Sequence, residues 1–112
     1  MTRNLQAIRA RLAARFVALA HQVERLEVSR REPVAADFAE QAVEREDDEA
    51  RDSLEKVTVA EMARIRLAIA RIDAGGYGIC TACGEDIEEA RLVAVPEAAR
   101  CIACSDHIAG HA

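Results

Sequence analysis

Ala74-Gly75-Gly76-Tyr77-Gly78-Ile79-Cys80-Thr81-Ala82-Cys83-Gly84, completed by Cys101-Ile102-Ala103-Cys104, is the part of the chain whose reading decides the fold. Two Cys-x2-Cys pairs stand here, with 17 residues between Cys83 and Cys101. Each pair sets two thiolates on one tight turn, and two such turns complete a tetrahedron for zinc with arms of about 2.3 Å. Gly84 supplies the conformational freedom that the first turn needs. Cys80, Cys83, Cys101 and Cys104 therefore form a ligand set for one structural Zn2+. Four protein sulfurs leave no open coordination position, so the ion is expected to do no catalysis. A thioredoxin-like site needs one pair on a strand–helix unit, a pattern missing here. An iron–sulfur cluster would use the same four thiolates and is the minor alternative. His107 lies three residues past Cys104 but finds the ligand set already full; like His21 and His111 it reads as an exposed histidine.

Upstream, Gly75 and Gly76 close a helix, since glycine takes the left-handed conformation that caps a C-terminus. Val43, Ala50, Leu54, Val57, Met62, Ile65, Ile69 and Ile72 mark its apolar stripe, in steps mostly of three, four or seven. Asp37 is its expected N-cap, with Glu40 as the reciprocal partner three residues on. A first helix carries apolar residues at 5, 8, 12, 16, 19, 23 and 26 and should stop near Glu32-Pro33. Two long helices joined by so short a connector fold back as an antiparallel hairpin with arms of about 45 Å. The expected architecture is mainly α: a long antiparallel coiled-coil hairpin over residues 1–74, its tip at about 33–42, with a four-cysteine zinc-finger globule at its open end over 75–112. Within that globule, Arg91-Leu92-Val93-Ala94-Val95-Pro96 reads as a short extended stretch, and a small helix is expected from Cys101 to about Ile108.

Charge follows this organisation. Residues 1–32 carry a net +4 and residues 37–55 a net −7, within a chain of net charge −5. Pairing the helices brings Arg25, Arg30 and Arg31 towards the acids from Glu44 to Glu49, which favours the hairpin electrostatically. An acidic tip and an acidic zinc unit disfavour coating of nucleic acid, so sequence-specific DNA binding is not expected. There is no run of 18 apolar residues and no apolar segment ending in a cleavage site, which implies a cytoplasmic protein without a membrane span. Reduced thiols in that compartment favour metal over disulfides. An enzyme is not expected, because no nucleophile stands beside a base and no glycine loop cradles phosphate.

Gly76-Tyr77-Gly78-Ile79-Cys80-Thr81-Ala82-Cys83-Gly84, then Arg91-Leu92-x-Ala94-x-Pro96, then Cys101-Ile102-x-Cys104, resembles the DksA/TraR family of bacterial regulators. Asp37-Phe38-Ala39-Glu40-Gln41-Ala42 resembles the tip of that family's coiled coil, and the likeness covers roughly residues 33–108. The resemblance implies a transcription regulator that inserts its hairpin into the secondary channel of RNA polymerase, with Asp37, Glu40 and Ala42 as the polymerase-facing tip; a monomer is expected. Glu40 stands where the family's type member carries aspartate, and the extra methylene moves the carboxylate by about one ångström or more. The family's partner nucleotide, guanosine tetraphosphate, is held by basic residues beside the zinc unit. The corresponding positions are Val57, Arg64, Val95 and Ser105, of which Arg64 alone is basic, so that nucleotide is expected to bind weakly. The alternative function is a zinc-stabilised protein-interaction module without transcriptional activity.

Overall fold

A computed structural model describes residues 4–30 and 38–105, with the backbone alone for 29–30 and 38–47. The order of elements is α1 (Leu5–Arg30), α2 (Phe38–Ala74) and α3 (Glu89–Ala94). The two long helices pack antiparallel, as the two stripes required, and the four cysteines lie in the C-terminal part. Asn4 caps α1: its Oδ1 accepts from the Ala7 N–H at 3.0 Å and its carbonyl from Ile8 at 3.1 Å. The expected cap Asp37, and the pairing of Arg30 and Arg31 with Glu44, Glu46 and Asp47, lie outside the described residues and side chains.

The end of α2 shows why its last residues are glycines. The Gly76 N–H donates to Arg71 O at 2.9 Å and the Gly75 N–H to Ile72 O at 3.2 Å, the two bonds of a Schellman cap. That cap turns the chain through the left-handed region at Gly75, with φ of 87°.

The chain divides into two compact units, one of Met1–Phe16 with Ala63–Ala112, the other of Val17–Met62. In the first, Leu12, Ile65, Ala68 and Ile72 are buried along the helices, and Tyr77, Ile87, Leu92 and Ala98 in the metal-binding part. Arg9 makes a two-pronged pair with Asp73, Nε to Oδ1 at 2.9 Å and Nη2 to Oδ2 at 3.0 Å. Both side chains are exposed, so the pair orients more than it stabilises. Arg66 stands over the Phe16 ring at 5.7 Å. In the second unit Leu19 and Thr58 are buried.

Two expectations need correction. Residues 91–94 are not extended but helical: α3 runs over Glu89–Ala94. All its residues but Val93 are good helix formers, Glu89 favours the first turn, and Leu92 alone is buried while Val93 is 66% exposed. The apolar stripe of α2 runs inward from Met62 to Ile72 as expected, but before Met62 it is displaced. Leu54 and Val57 are exposed, at 44% and 63%, and Ala50 with them, whereas the seam position belongs to Thr58, at 3%. Thr58 keeps a seven-residue step to Ile65, and Ile65 to Ile72, so the row that faces inward includes a hydroxyl. Of the helix expected from Cys101 to about Ile108, residues 102–105 are helical and 106–108 lie outside the described residues.

Candidate metal centre and an arginine-lined cleft

The first cysteine turn is built from the backbone. The Gly84 N–H donates to Cys80 O at 2.9 Å, the Cys80 N–H to Glu85 O at 2.8 Å, and the Ile87 N–H to Gly78 O at 2.8 Å. Ile79 and Asp86 form an antiparallel bridge across the same turn. Gly84 has φ of 79°, and a Cβ there would meet nothing within 4 Å, so backbone conformation and not space calls for glycine. The second turn closes through Ser105 N–H to Cys101 O at 2.9 Å. Two bonds join the turns: Thr81 N–H to Ala99 O at 2.9 Å, and Ile102 N–H to the Glu88 Oε1 at 3.1 Å. Tyr77 is buried behind them and donates its hydroxyl to Pro96 O at 2.9 Å.

These turns bring the sulfurs of Cys80, Cys83, Cys101 and Cys104 within 4.8 Å of one another, all as free thiols. Cys83 Sγ and Cys101 Sγ are 3.9 Å apart. A tetrahedron with zinc arms of about 2.3 Å has edges of about 3.8 Å, so the donor set fits the ion in size as well as in chemistry. Cys80 and Cys101 are buried, Cys104 half-buried and Cys83 exposed.

The thiols divide sharply in acidity. Backbone N–H groups of Cys101, then of Cys83 and Ala82, lower Cys80 to about 6 against the cost of burial. At Cys83 the Glu85 N–H pulls downward, but the Cys80 sulfur and burial outweigh it and the thiol is raised. Cys104 is pushed up to about 12, by Cys101 first and then by Cys80 and Cys83. The protein without a cation thus favours a thiolate at Cys80 and resists one at Cys83 and at Cys104. A divalent cation among the four sulfurs removes that resistance, which is the chemistry a zinc site requires.

Arg64 lies on a second feature, a cleft of about 630 Å³ that Arg71, Arg91 and Arg100 also line, with Leu67, Val95 and Ser105. Arg71 and Arg64 are seven residues apart, which sets them on one face of α2. Burial lowers the Arg71 guanidinium against the usual arginine value. Its Nη2 reaches Glu97 O and Ala98 O at 3.4 Å each, and its Nε is buried without a hydrogen-bond partner among the described residues. Arg91 donates Nε to Arg100 O at 2.8 Å. Reading the family positions one at a time singles out Arg64 and passes over Arg71, Arg91 and Arg100. The seven-residue step from Arg64 is the available signal for Arg71, but only the fold of the zinc unit adds the other two. Of the tip residues, Glu40 and Ala42 fall in the backbone of α2 and Asp37 outside the described residues. His21 is exposed, and His107 and His111 also lie outside the described residues.

Residues 75–105 match the model of the prokaryotic dksA/traR C4-type zinc finger. An uncharacterized protein of Aquifex aeolicus (strain VF5) is 40% identical over 57 residues, 51% of this chain and 39% of that relative's length. Two solved structures share the fold across most of the chain. Transcription factor DksA2 from Pseudomonas aeruginosa is 27% identical, covered over 96% of this chain and 78% of its own, with a TM-score of 0.64. The DnaK suppressor protein from Agrobacterium tumefaciens C58 is 34% identical, covered over 96% of both chains, with a TM-score of 0.67.

Proposed function

The chain belongs to the prokaryotic DksA/TraR C4-type zinc-finger family, and on that premise we propose that it is a transcription regulator that binds RNA polymerase through the secondary channel. The observation that carries this reading is the likeness over 96% of the chain to a solved transcription factor of the same fold. One zinc ion on Cys80, Cys83, Cys101 and Cys104 has a structural role: it holds together two turns otherwise joined by a few hydrogen bonds. Binding energy at such a site is largely folding energy. Asp37, Glu40 and Ala42 form the polymerase-facing tip, and the protein works as a cytoplasmic monomer without enzymatic activity or sequence-specific DNA contacts.

A phosphate-bearing nucleotide of the guanosine tetraphosphate type is a second element of the proposal. Arg64 is the one cation that the family positions retain, and the cleft supports the reading by adding Arg71, Arg91 and Arg100 from other positions. Arginine forks suit phosphate oxygens better than isolated charges do.

The test is equilibrium binding of fluorescently labelled protein to core RNA polymerase, with a photocrosslinking residue in place of Ala42. Sub-micromolar binding and crosslinks to the polymerase subunits that line the channel are expected. No binding at micromolar concentration would refute the proposal. Binding elsewhere on the enzyme, without crosslinks in the channel, would favour the interaction-module alternative.

A further inference from the structure

Within Val17–Met62, Thr58 is the buried polar residue among those described, at 3% exposure. Its hydroxyl donates to Leu54 O at 2.8 Å and accepts from Gln22 Nε2 at 3.3 Å, so a hydrogen bond joins α1 to α2 inside the seam. Around it, Leu54, Val57 and Val59 stand exposed at 44%, 63% and 49%. Burial of apolar surface alone would favour turning or sliding α2 until a valine replaced the hydroxyl. The observed alignment instead keeps the polar pair between the helices.

We propose that Gln22 and Thr58 form a register lock that fixes the axial alignment of α2 against α1. Its selectivity follows from what each alternative alignment would set opposite Gln22. A slide of one heptad sets Ile65 opposite Gln22, which offers its amide no partner, or else Arg51, which can only donate to the amide oxygen and brings a guanidinium charge into the seam. Turning α2 to bury Val57 takes the Thr58 hydroxyl away from the same amide. Single polar residues in coiled-coil seams specify register at a cost in stability, and the lock uses that trade. One heptad corresponds to about 10 Å along the axis. If the chain acts in the polymerase channel as proposed above, the lock also sets how far its tip reaches. The lock itself does not depend on that reading.

Pulsed electron–electron distance measurements test it, with spin labels on ketone-bearing residues replacing the exposed Glu24 and Lys56, so that the four cysteines stay untouched. The zinc-loaded chain should give one narrow distance distribution. In the Q22L/T58V variant a second distance should appear, or the width at least double, with helicity and melting temperature equal or higher. Q22L alone should broaden the distribution and keep the melting temperature, because Thr58 retains its bond to Leu54. The exchanged pair Q22T/T58Q should restore the narrow distribution. An unchanged narrow distribution in Q22L/T58V would overturn the proposal. So would its unfolding, since the lock gives specificity and not stability.

Discussion

Replacing Leu92 by alanine removes the buried side chain of α3, 4% exposed, from the metal-binding part whose other buried residues include Tyr77, Ile87 and Ala98. So little apolar surface gives limited room to relax around a cavity. Truncation of a buried leucine costs about 2–5 kcal/mol, and about 3 is a fair value here. Where folding and metal binding are one equilibrium, the loss reappears as weaker apparent zinc affinity. At 1.4 kcal/mol per factor of ten, about 3 kcal/mol corresponds to a drop of about a hundredfold. Val93 provides the control: it neighbours Leu92 but is 66% exposed, and Val93→Ala should change affinity by about twofold at most. Competition with a chromogenic chelator at fixed pH measures both variants against the parent chain. If Leu92→Ala held zinc as tightly as Val93→Ala, the coupling of packing to metal binding would be refuted.

Tyr77→Phe removes the hydroxyl that donates to Pro96 O and leaves that carbonyl without its donor. A loss of about 1 kcal/mol follows, lowering the melting temperature of the zinc-loaded chain by about 4 °C in calorimetry. Asp73 is held below the usual carboxylate range by the hydrogen bond from Arg9, which with the Arg9 charge outweighs the desolvation that opposes it. Its contribution to stability is therefore present above the unfolded-state pKa and is lost as pH falls through the lower folded-state value. Arg9→Gln should move the Asp73 carboxyl midpoint upward in carbon-13 NMR; an unmoved midpoint would mean that the pair does not persist in solution. In the cleft, Arg64→Gln should weaken binding of guanosine tetraphosphate to the polymerase complex about tenfold, as loss of one charge-assisted contact implies. Equal binding by both proteins in a calorimetric titration would exclude Arg64 from the site.

How much of this is legible in the sequence depends on how local each determinant is. The two Cys-x2-Cys pairs and the Gly75-Gly76 cap are short-range signals, and the sulfur cluster and the end of α2 follow them closely. The inward face of α2 is offset from the expected stripe before Met62, most plainly at Val57 and Thr58, which are neighbours and of which hydrophobicity favours the valine. The buried hydroxyl is satisfied by Leu54 O on its own helix and by Gln22 on the partner helix, and hydrophobicity carries neither contact. The stretch 91–96 misleads for a related reason. Val93 and Val95 suggest a strand, yet the fold asks only that Leu92 face inward, and one short helix does that. The cleft illustrates a third limit, since Arg64 and Arg71 share a helix face but Arg91 and Arg100 join them only through the fold of the zinc unit.

The lifetime of open complexes on a ribosomal RNA promoter, measured with purified polymerase, the zinc-loaded chain and its Asp37→Ala variant, tests the proposed function most directly. The parent chain should change the lifetime at concentrations that saturate the polymerase. Asp37→Ala should abolish that change while keeping zinc content, helicity and polymerase affinity. An unchanged lifetime at saturation would contradict a role in transcription, and a variant as active as its parent would contradict the assignment of the tip.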